Sequence, residues 1–226
     1  MNKKVSPNFD KRPADVPIDM LVLHFTGMCS AGEALERLCD PAAKVSAHYI
    51  IDTDGAVASL VDEEKRAWHA GVSFWRGHTD VNARSIGIEL VNPGHEFGYV
   101  PFPEPQMTAL IELAKEILVR HAIEPRNVVG HADVAPQRKS DPGELFDWQR
   151  LAAAGIGLWP TAPVTDKPGE ADPVKVKKML MAYGYEVEDL AATLTAFQRH
   201  FRPAVFSGQA DAETVGLLQD LCDQVS

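Results

Sequence analysis

Met20-Leu-Val-Leu-His-Phe-Thr26 is a short, mostly apolar run that ends on a histidine, an aromatic residue and a threonine. Its length and composition are typical of a buried strand. Ser30 and Glu33 follow with the spacing of a capping box, ahead of apolar residues at helical intervals, and they predict a helix after this strand. The order is thus strand and then helix, with a histidine at the strand end, where active sites are often built.

Two further patterns predict strands. His48-Tyr-Ile-Ile-Asp52 and Ala56-Val-Ala-Ser-Leu-Val61 flank the turn sequence Thr53-Asp-Gly55, so they predict a hairpin. Ser85-Ile-Gly-Ile-Glu-Leu-Val91 alternates branched apolar residues with smaller or charged ones. Because successive side chains of a strand point to opposite faces, Glu89 should project away from the isoleucine face.

A second helix is predicted behind Pro103 and Pro105. The apolar positions from Met107 to His121 follow helical spacing, which predicts an amphipathic helix that covers one face of a sheet. Asn127-Val-Val-Gly-His131 then leads into a long segment rich in Asp, Pro, Gly and Lys that ends near Trp148. A loop of this kind can present ligands from a rigid frame.

The last third of the chain has a different organisation. Residues 155–173 contain four prolines and three glycines with little periodicity, which is the composition of a linker. The sequence predicts a first domain over residues 1–160, a linker over 161–173 and a small second domain over 174–226. Three short helix patterns fill the second domain, at 174–183, 190–201 and 211–222. The linker separates them from every candidate site residue, so the chemistry should survive their removal.

The composition indicates a globular protein, since 45% of the 226 residues are hydrophobic and can supply a packed core. The net charge of −10 gives no broad basic field, so no nucleic-acid partner is expected.

No apolar run approaches the roughly 18 residues that span a bilayer, and the first ten residues lack the apolar core of a signal peptide. Three scattered cysteines fit a reducing compartment. We therefore predict a cytoplasmic protein, or a periplasmic one if a signal peptide has been removed.

His24, His131 and Asp141 are candidate metal ligands. They could meet at one ion if the loop after His131 folds back towards the first strand. Histidine and carboxylate side chains bind zinc, and a catalytic zinc site typically takes three protein ligands and leaves a fourth position for water. The chain has eight histidines, so spacing alone also fits core or surface histidines.

Five segments, in the same order along the chain, closely resemble the type 2 N-acetylmuramoyl-L-alanine amidases. They are Leu21-Val-Leu-His-Phe-Thr26, Val45-Ser-Ala-His-Tyr49, Ala67-Trp-His-Ala-Gly71, Ser85-Ile-Gly-Ile-Glu89 and Gly130-His-Ala-Asp-Val-Ala-Pro136, the last followed by Arg138-Lys-Ser-Asp-Pro-Gly143. The resemblance covers about residues 15–160. It implies the α/β fold of the peptidoglycan recognition proteins, with a mixed central sheet flanked by helices. It also implies hydrolysis of the amide between N-acetylmuramic acid, or its anhydro form, and L-alanine in peptidoglycan or muropeptides.

The resemblance implies that His24, His131 and Asp141 bind Zn²⁺, that Glu89 is the acid/base group and that Lys139 faces the tetrahedral intermediate. Strand alternation independently directs Glu89 away from one apolar layer, and a carboxylate beside a zinc site can accept a proton near neutral pH. Lys139 lies two residues before Asp141, so an extended segment places both side chains on one side. The alternatives are a surface carboxylate for Glu89 and a solvated loop lysine for Lys139.

Further residues are placed near the substrate by the same resemblance. Trp68 and His69 match a segment that lines the substrate groove, where they could contact sugar or stem peptide; a packed tryptophan is the alternative. Asn82 and Arg84 precede the last predicted strand of the sheet and are candidates for binding peptide carboxylates, since arginine suits bidentate carboxylate binding. His48 is expected close to the metal but outside the ligand set, where it either supports a ligand or packs in its strand.

Two departures place the chain within this superfamily. The phage lysozyme branch carries a tyrosine where this chain has Ala47, and it has no glutamate matching Glu89. Glu89 therefore points to the bacterial amidases. Recognition proteins of animals that only bind lose one or more metal ligands, whereas this chain keeps all three. The pattern favours an enzyme over the alternative, a sensing protein that binds muropeptides without cleaving them.

The C-terminal segment has a resemblance of its own. Ala196-Phe-Gln-Arg199, followed by Gly208-Gln-Ala-Asp211-Ala-Glu-Thr214, is similar to the three-helix peptidoglycan-binding module of wall hydrolases. It implies that residues 174–226 bind the wall polymer. A helix cap at Asp211 and a core of Phe197 and Phe201 explain the same pattern without any ligand.

Overall fold

The computed structural model describes residues 2–161 and 171–226. The strands are β1 (Asn2–Lys3), β2 (Phe9–Lys11), β3 (Met20–Phe25), β4 (Tyr49–Ile51), β5 (Val57–Ser59), β6 (Lys65–Ala67), β7 (Ser85–Leu90) and β8 (Val128–Gly130). The helices are α1 (Ala31–Cys39), α2 (Val81–Arg84), α3 (Gly94–Phe97), α4 (Glu104–Arg120), α5 (His131–Val134), α6 (Trp148–Ala153), α7 (Pro173–Tyr183), α8 (Leu190–Phe201) and α9 (Ala212–Gln224). Most of the predicted linker, 161–173, lies outside the described residues.

A mixed sheet forms the centre of the molecule, with the strand order β1-β5-β4-β7-β3-β8. The strands β4, β7, β3 and β8 are parallel to their neighbours, whereas β5 is antiparallel to β4. The β4–β5 pair is the predicted hairpin, and its turn places Gly55 at φ 87°, a conformation that favours glycine. β2 and β6 form a separate antiparallel pair. The predicted α/β fold with a mixed central sheet flanked by helices is confirmed.

Strand register brings two candidate site residues side by side. His24 of β3 pairs with Glu89 of β7 at the carboxyl ends of these parallel strands. Ile86, Ile88 and Leu90 of β7 belong to the core that α4 covers. Since side chains alternate along a strand, Glu89 lies on the opposite face from them, as the sequence pattern predicts.

The face of the sheet opposite α4 packs against the C-terminal helices. Val22 of β3 and Val129 of β8 share one hydrophobic core with Tyr185, Phe197 and Leu218. Full burial of one such side chain stabilises the folded chain by about 1.5–3 kcal/mol. The helices α7, α8 and α9 match the three predicted ones, and their packing stabilises the sheet directly. The division into a catalytic and a wall-binding domain stays a prediction.

Two sequence predictions concern the surroundings of the protein. In the described ranges, no helix is long and apolar enough to cross a bilayer. Cys29, Cys39 and Cys222 are all free. The assignment to the cytoplasm or the periplasm stays a prediction.

Candidate metal centre and active site

Three buried side chains converge where β3 and β8 end. His24 is the penultimate residue of β3, His131 begins α5 directly after β8, and Asp141 lies in the loop beyond. The Nδ1 atoms of the two histidines are 3.0 Å apart. Asp141 Oδ2 lies 3.0 Å from Nδ1 of His24 and 3.1 Å from Nδ1 of His131. The three predicted ligands therefore form one cluster that could hold a metal ion.

The loop after α5 folds back towards the end of β3, as predicted. The backbone N–H of Ala132, in α5, donates to the carbonyl oxygen of Asp141 at 2.9 Å. The approach is so close that a Cβ atom at position 130 would lie 2.7 Å from Cδ of Pro142. Only glycine leaves this room, so Gly130 is what allows the loop to bring Asp141 beside His131.

The hydrogen positions on the ligand histidines follow from their second nitrogens. Nε2 of His131 lies 3.0 Å from the carbonyl oxygen of Ala70. A carbonyl oxygen only accepts, so Nε2 carries a hydrogen, and in the neutral form of the ring Nδ1 presents a lone pair. Metal-binding histidines usually donate their other N–H in this way, which fixes the ring orientation.

A chain of hydrogen bonds likewise places the hydrogen of His24 on Nε2. The Ser85 hydroxyl donates to the Val81 carbonyl at 2.7 Å, so it accepts from Nε2 of His69 at 3.1 Å. Nδ1 of the neutral His69 ring then accepts from Nε2 of His24 at 3.0 Å. His24 is left with a lone pair at Nδ1, which faces the cluster.

Burial keeps the rings of His24 and His69 neutral. It lowers the pKa of His24 to about 4, and the neighbouring His131 lowers it further while Asp141 opposes the shift. Burial also holds the pKa of His69 well below its ordinary value, with added effects of His24 and His48. With their Nε2 hydrogens committed in this way, the neutral rings of His24 and His131 present two nitrogen lone pairs to the Asp141 carboxylate. A bound cation satisfies such a donor set, so the residues present fit a metal ion.

His69 reaches its position because β7 carries a glycine beside it. A Cβ atom at Gly87 would lie 2.5 Å from the His69 ring, closer than real contacts allow. The Gly87 N–H also donates to Nδ1 of His48 at 2.9 Å. His48 touches no metal ligand: its ring packs beside that of His69, with centroids 5.7 Å apart. Of the two roles left open for His48, its contacts favour support of β7 and of His69 within the strand layer.

Glu89 has the electrostatics of a buried proton acceptor. Its Oε2 is out of contact with solvent and has no hydrogen-bond partner among the described residues. Burial raises the pKa of Glu89 well above its ordinary value, Asp141 raises it further and Lys139 lowers it. Glu89 and Lys139 both line the cavity that the metal ligands face, which has a volume of about 310 Å³.

The candidate substrate contacts fall into two groups. Trp68 and His69 line the same cavity. Asn82 and Arg84 do not: the side-chain oxygen of Asn82 accepts from the backbone N–H of Ala70 at 2.8 Å, and Arg84 pairs with Asp19. Asn82 thus holds the backbone at His69 and Ala70, whereas Arg84 lies at the amino end of β7, away from the metal ligands, and neither position supports direct substrate contact.

Three residues near the site did not emerge from the sequence patterns as candidates. They are Ser85, Gly87 and Asp133. A glycine isolated within a strand pattern indicates close approach of another group, so Gly87 carried a readable signal. Asp133 accepts from the N–H of Gly130 at 2.7 Å, and its place three residues after that cap position could have indicated the contact. Nothing in the spacing relates Ser85 to His69.

Comparison with known proteins identifies the family of this chain. The family model described as N-acetylmuramoyl-L-alanine amidase matches residues 14–144. The N-acetylmuramoyl-L-alanine amidase AmiD of Escherichia coli K12 is 41% identical, over 92% of this chain and 83% of the relative.

Solved structures extend the likeness to the whole described fold. The complex of E. coli AmiD with anhydro-N-acetylmuramic acid-L-Ala-D-γ-Glu-L-Lys superposes with a TM-score of 0.86 at 40% identity, covering 95% of this chain and 92% of that one. AmpDh3 of Pseudomonas aeruginosa in complex with anhydromuramic pentapeptide gives 0.85 at 33% identity, covering 98% of each chain. The ligand cluster, the fold and these likenesses agree, and the chain belongs to the N-acetylmuramoyl-L-alanine amidase family.

Proposed function

We propose that this chain is a zinc-dependent amidase that hydrolyses the bond between N-acetylmuramic acid, or its anhydro form, and L-alanine. The observation that carries the proposal is the meeting of His24, His131 and Asp141 in a cavity that also contains Glu89 and Lys139. The combination provides a cation site, a proton acceptor and a positive charge, which are the parts that hydrolysis of an unactivated amide needs.

Zinc is the metal that this donor set suits best. Two imidazole nitrogens and one carboxylate oxygen, with a cavity on the remaining side, are typical of a catalytic zinc site. Bound there, zinc supplies the positive charge that makes water nucleophilic at neutral pH. His24 and His131 each commit their second nitrogen to a neighbour, so the metal-facing nitrogens are oriented in advance.

Glu89 and Lys139 divide the remaining work. The raised pKa of Glu89 makes its carboxylate a stronger base than an exposed glutamate, so it takes a proton from the attacking water. Once protonated, the same group can give that proton to the leaving nitrogen of L-alanine. Lys139 faces the cavity with a positive charge, which favours the negative oxygen that develops on the amide carbon.

The substrate we propose is a muropeptide with an anhydro-muramic end, because two similar structures hold such compounds. They are AmiD with anhydro-N-acetylmuramic acid linked to a tripeptide and AmpDh3 with anhydromuramic pentapeptide. The test is mass spectrometry of the products from soluble anhydro-muropeptides and from intact sacculi. We expect free peptides that begin with L-alanine together with a peptide-free sugar. Intact substrates in both reactions, with zinc present, would favour the sensing alternative.

Residues 174–226 are proposed to bind the wall polymer. Support comes from the predicted helices α7, α8 and α9 and from the sequence likeness of Ala196 to Thr214 to wall-binding modules. The test introduces surface substitutions in α9 of the full chain. The rates of hydrolysis of sacculi and of soluble muropeptides are then compared with those of the wild type. Selective loss of action on sacculi is the expected result.

A further inference from the structure

Asp133 is a buried carboxylate next to the ligand cluster that the proposed chemistry does not use. It is 1% exposed and lies in α5, two residues after His131. Its Oδ2 accepts from the backbone N–H of Gly130 at 2.7 Å, which caps this one-turn helix. A single turn has few hydrogen bonds of its own, so α5 depends on contacts from outside.

Those outside contacts come from the C-terminal helices. The Tyr185 hydroxyl donates to Oδ1 of Asp133 at 2.6 Å. Nδ1 of His200, in α8, donates to Oδ2 of Asp133 at 2.7 Å. Both donors are themselves buried, at 1% and 4% exposure. The carboxylate therefore bridges the capping N–H of α5 and two side chains from the last third of the chain.

His200 has little freedom to move. Its ring is stacked on Trp148 at a centroid distance of 3.7 Å and on Phe201 at 3.8 Å. Trp148 in turn lies against the backbone at Gly130, where an added Cβ would be 3.3 Å from the indole ring. The stack thus extends from α8 to the residue that precedes His131.

α5 sets the positions of two of the three ligands, His131 and Asp141. His131 is its first residue, and the Ala132 N–H holds the backbone of Asp141. A shift or rotation of α5 would therefore move Nδ1 of His131 and Oδ2 of Asp141 relative to His24. The loop after Asp141 has a further tie to α8, because Arg199 Nε lies 3.5 Å from the Glu144 carboxylate.

We propose that Tyr185 and His200 are positioning residues for the metal centre, acting through Asp133. The C-terminal helices then have a second role besides any contact with the wall. They hold α5 in the position that keeps His131 and Asp141 close to His24 of β3. The inference depends on the proposed function only in that the three ligands bind zinc. The family model ends at residue 144, so both positioning residues lie outside the part of the chain that defines the family.

The test compares two buried tyrosines in the full-length protein. Tyr185→Phe removes a hydroxyl that donates to Asp133, whereas Tyr183→Phe removes one from a tyrosine that is equally buried, also packs on Trp75 and makes no hydrogen bond to Asp133. His200→Phe keeps an aromatic ring in the stack and removes the second donor. Zinc affinity is measured by competition with a chelator, and thermal unfolding shows that each variant is folded.

We expect Tyr185→Phe and His200→Phe each to weaken zinc binding by roughly tenfold, as changes around metal ligands typically do, and Tyr183→Phe to leave it unchanged. The absorption spectrum of the Co²⁺-substituted protein should change in the same two variants. Wild-type zinc affinity and cobalt spectrum in folded Tyr185→Phe would overturn the inference, whether or not His200→Phe folds. Absence of zinc binding by the wild-type chain would instead contradict the proposed function.

Discussion

At the scale of single residues, the site depends on ionisable groups that are largely removed from bulk solvent. Glu89 Oε2 lies out of contact with solvent, and the ligand nitrogens of His24 and His131 are buried. Removal from water disfavours the charged forms of His24 and Glu89, so His24 stays neutral and Glu89 becomes more basic. The same physical effect thus prepares His24 for binding a cation and Glu89 for accepting a proton.

Replacing Glu89 with glutamine tests its role. Glutamine has nearly the same shape but cannot carry a proton, so we expect the variant to keep the fold and the metal while its kcat falls by about 10²–10⁴-fold. Glu36→Gln, at an exposed position of helix α1, is the matched control and should act like the wild type. Near-normal turnover of Glu89→Gln would assign the proton transfer to another group.

The pH profile of the wild type gives a second readout of Glu89. The carboxylate must be unprotonated to act as a base, and burial raises its pKa above that of an exposed glutamate. Activity should therefore decline on the acid side at a higher pH than an exposed glutamate would produce. The glutamine variant should lose that acid limb in its residual activity.

At the scale of elements, strand periodicity carried most of what the sequence could predict. The alternation in β7 fixed the face of Glu89, and the apolar run of β3 ended at His24, as predicted. The arrival of Asp141 depends on a loop, whose path no periodicity describes. The contact of His69 with Gly87 joins a loop to a strand 18 positions further on, and only the isolated glycine hinted at it.

Gly87→Ala tests this packing between elements. The added methyl group overlaps the His69 ring, so the ring must leave its place and His24 loses its hydrogen-bond partner. We expect the free energy of unfolding to fall by ~1–3 kcal/mol and zinc affinity to fall as well. Gly32→Ala in α1 is the control, since its nearest neighbour would be 3.8 Å away. Equal zinc affinity in both variants would show that His69 does not position His24.

At the scale of the whole molecule, the two ends of the chain depend on one another. The sequence predicts a catalytic unit that functions without residues 174–226, but Val22 and Val129 pack in one core with Tyr185 and Phe197. The continuous apolar run of β3 shows that both of its faces are buried, yet it does not show what covers each face. His200 and Asp133 lie 67 positions apart, and no pattern relates them. Removal of the C-terminal helices should therefore expose core residues of the sheet.

Metal analysis of purified, dialysed protein tests whether His24, His131 and Asp141 bind zinc. The wild type should contain about one zinc per chain, in line with the single described cluster of donor residues. His131→Ala should lose the zinc, whereas His78→Ala, which removes an exposed histidine, should retain it. Full zinc occupancy in folded His131→Ala would show that these three residues do not form the zinc site.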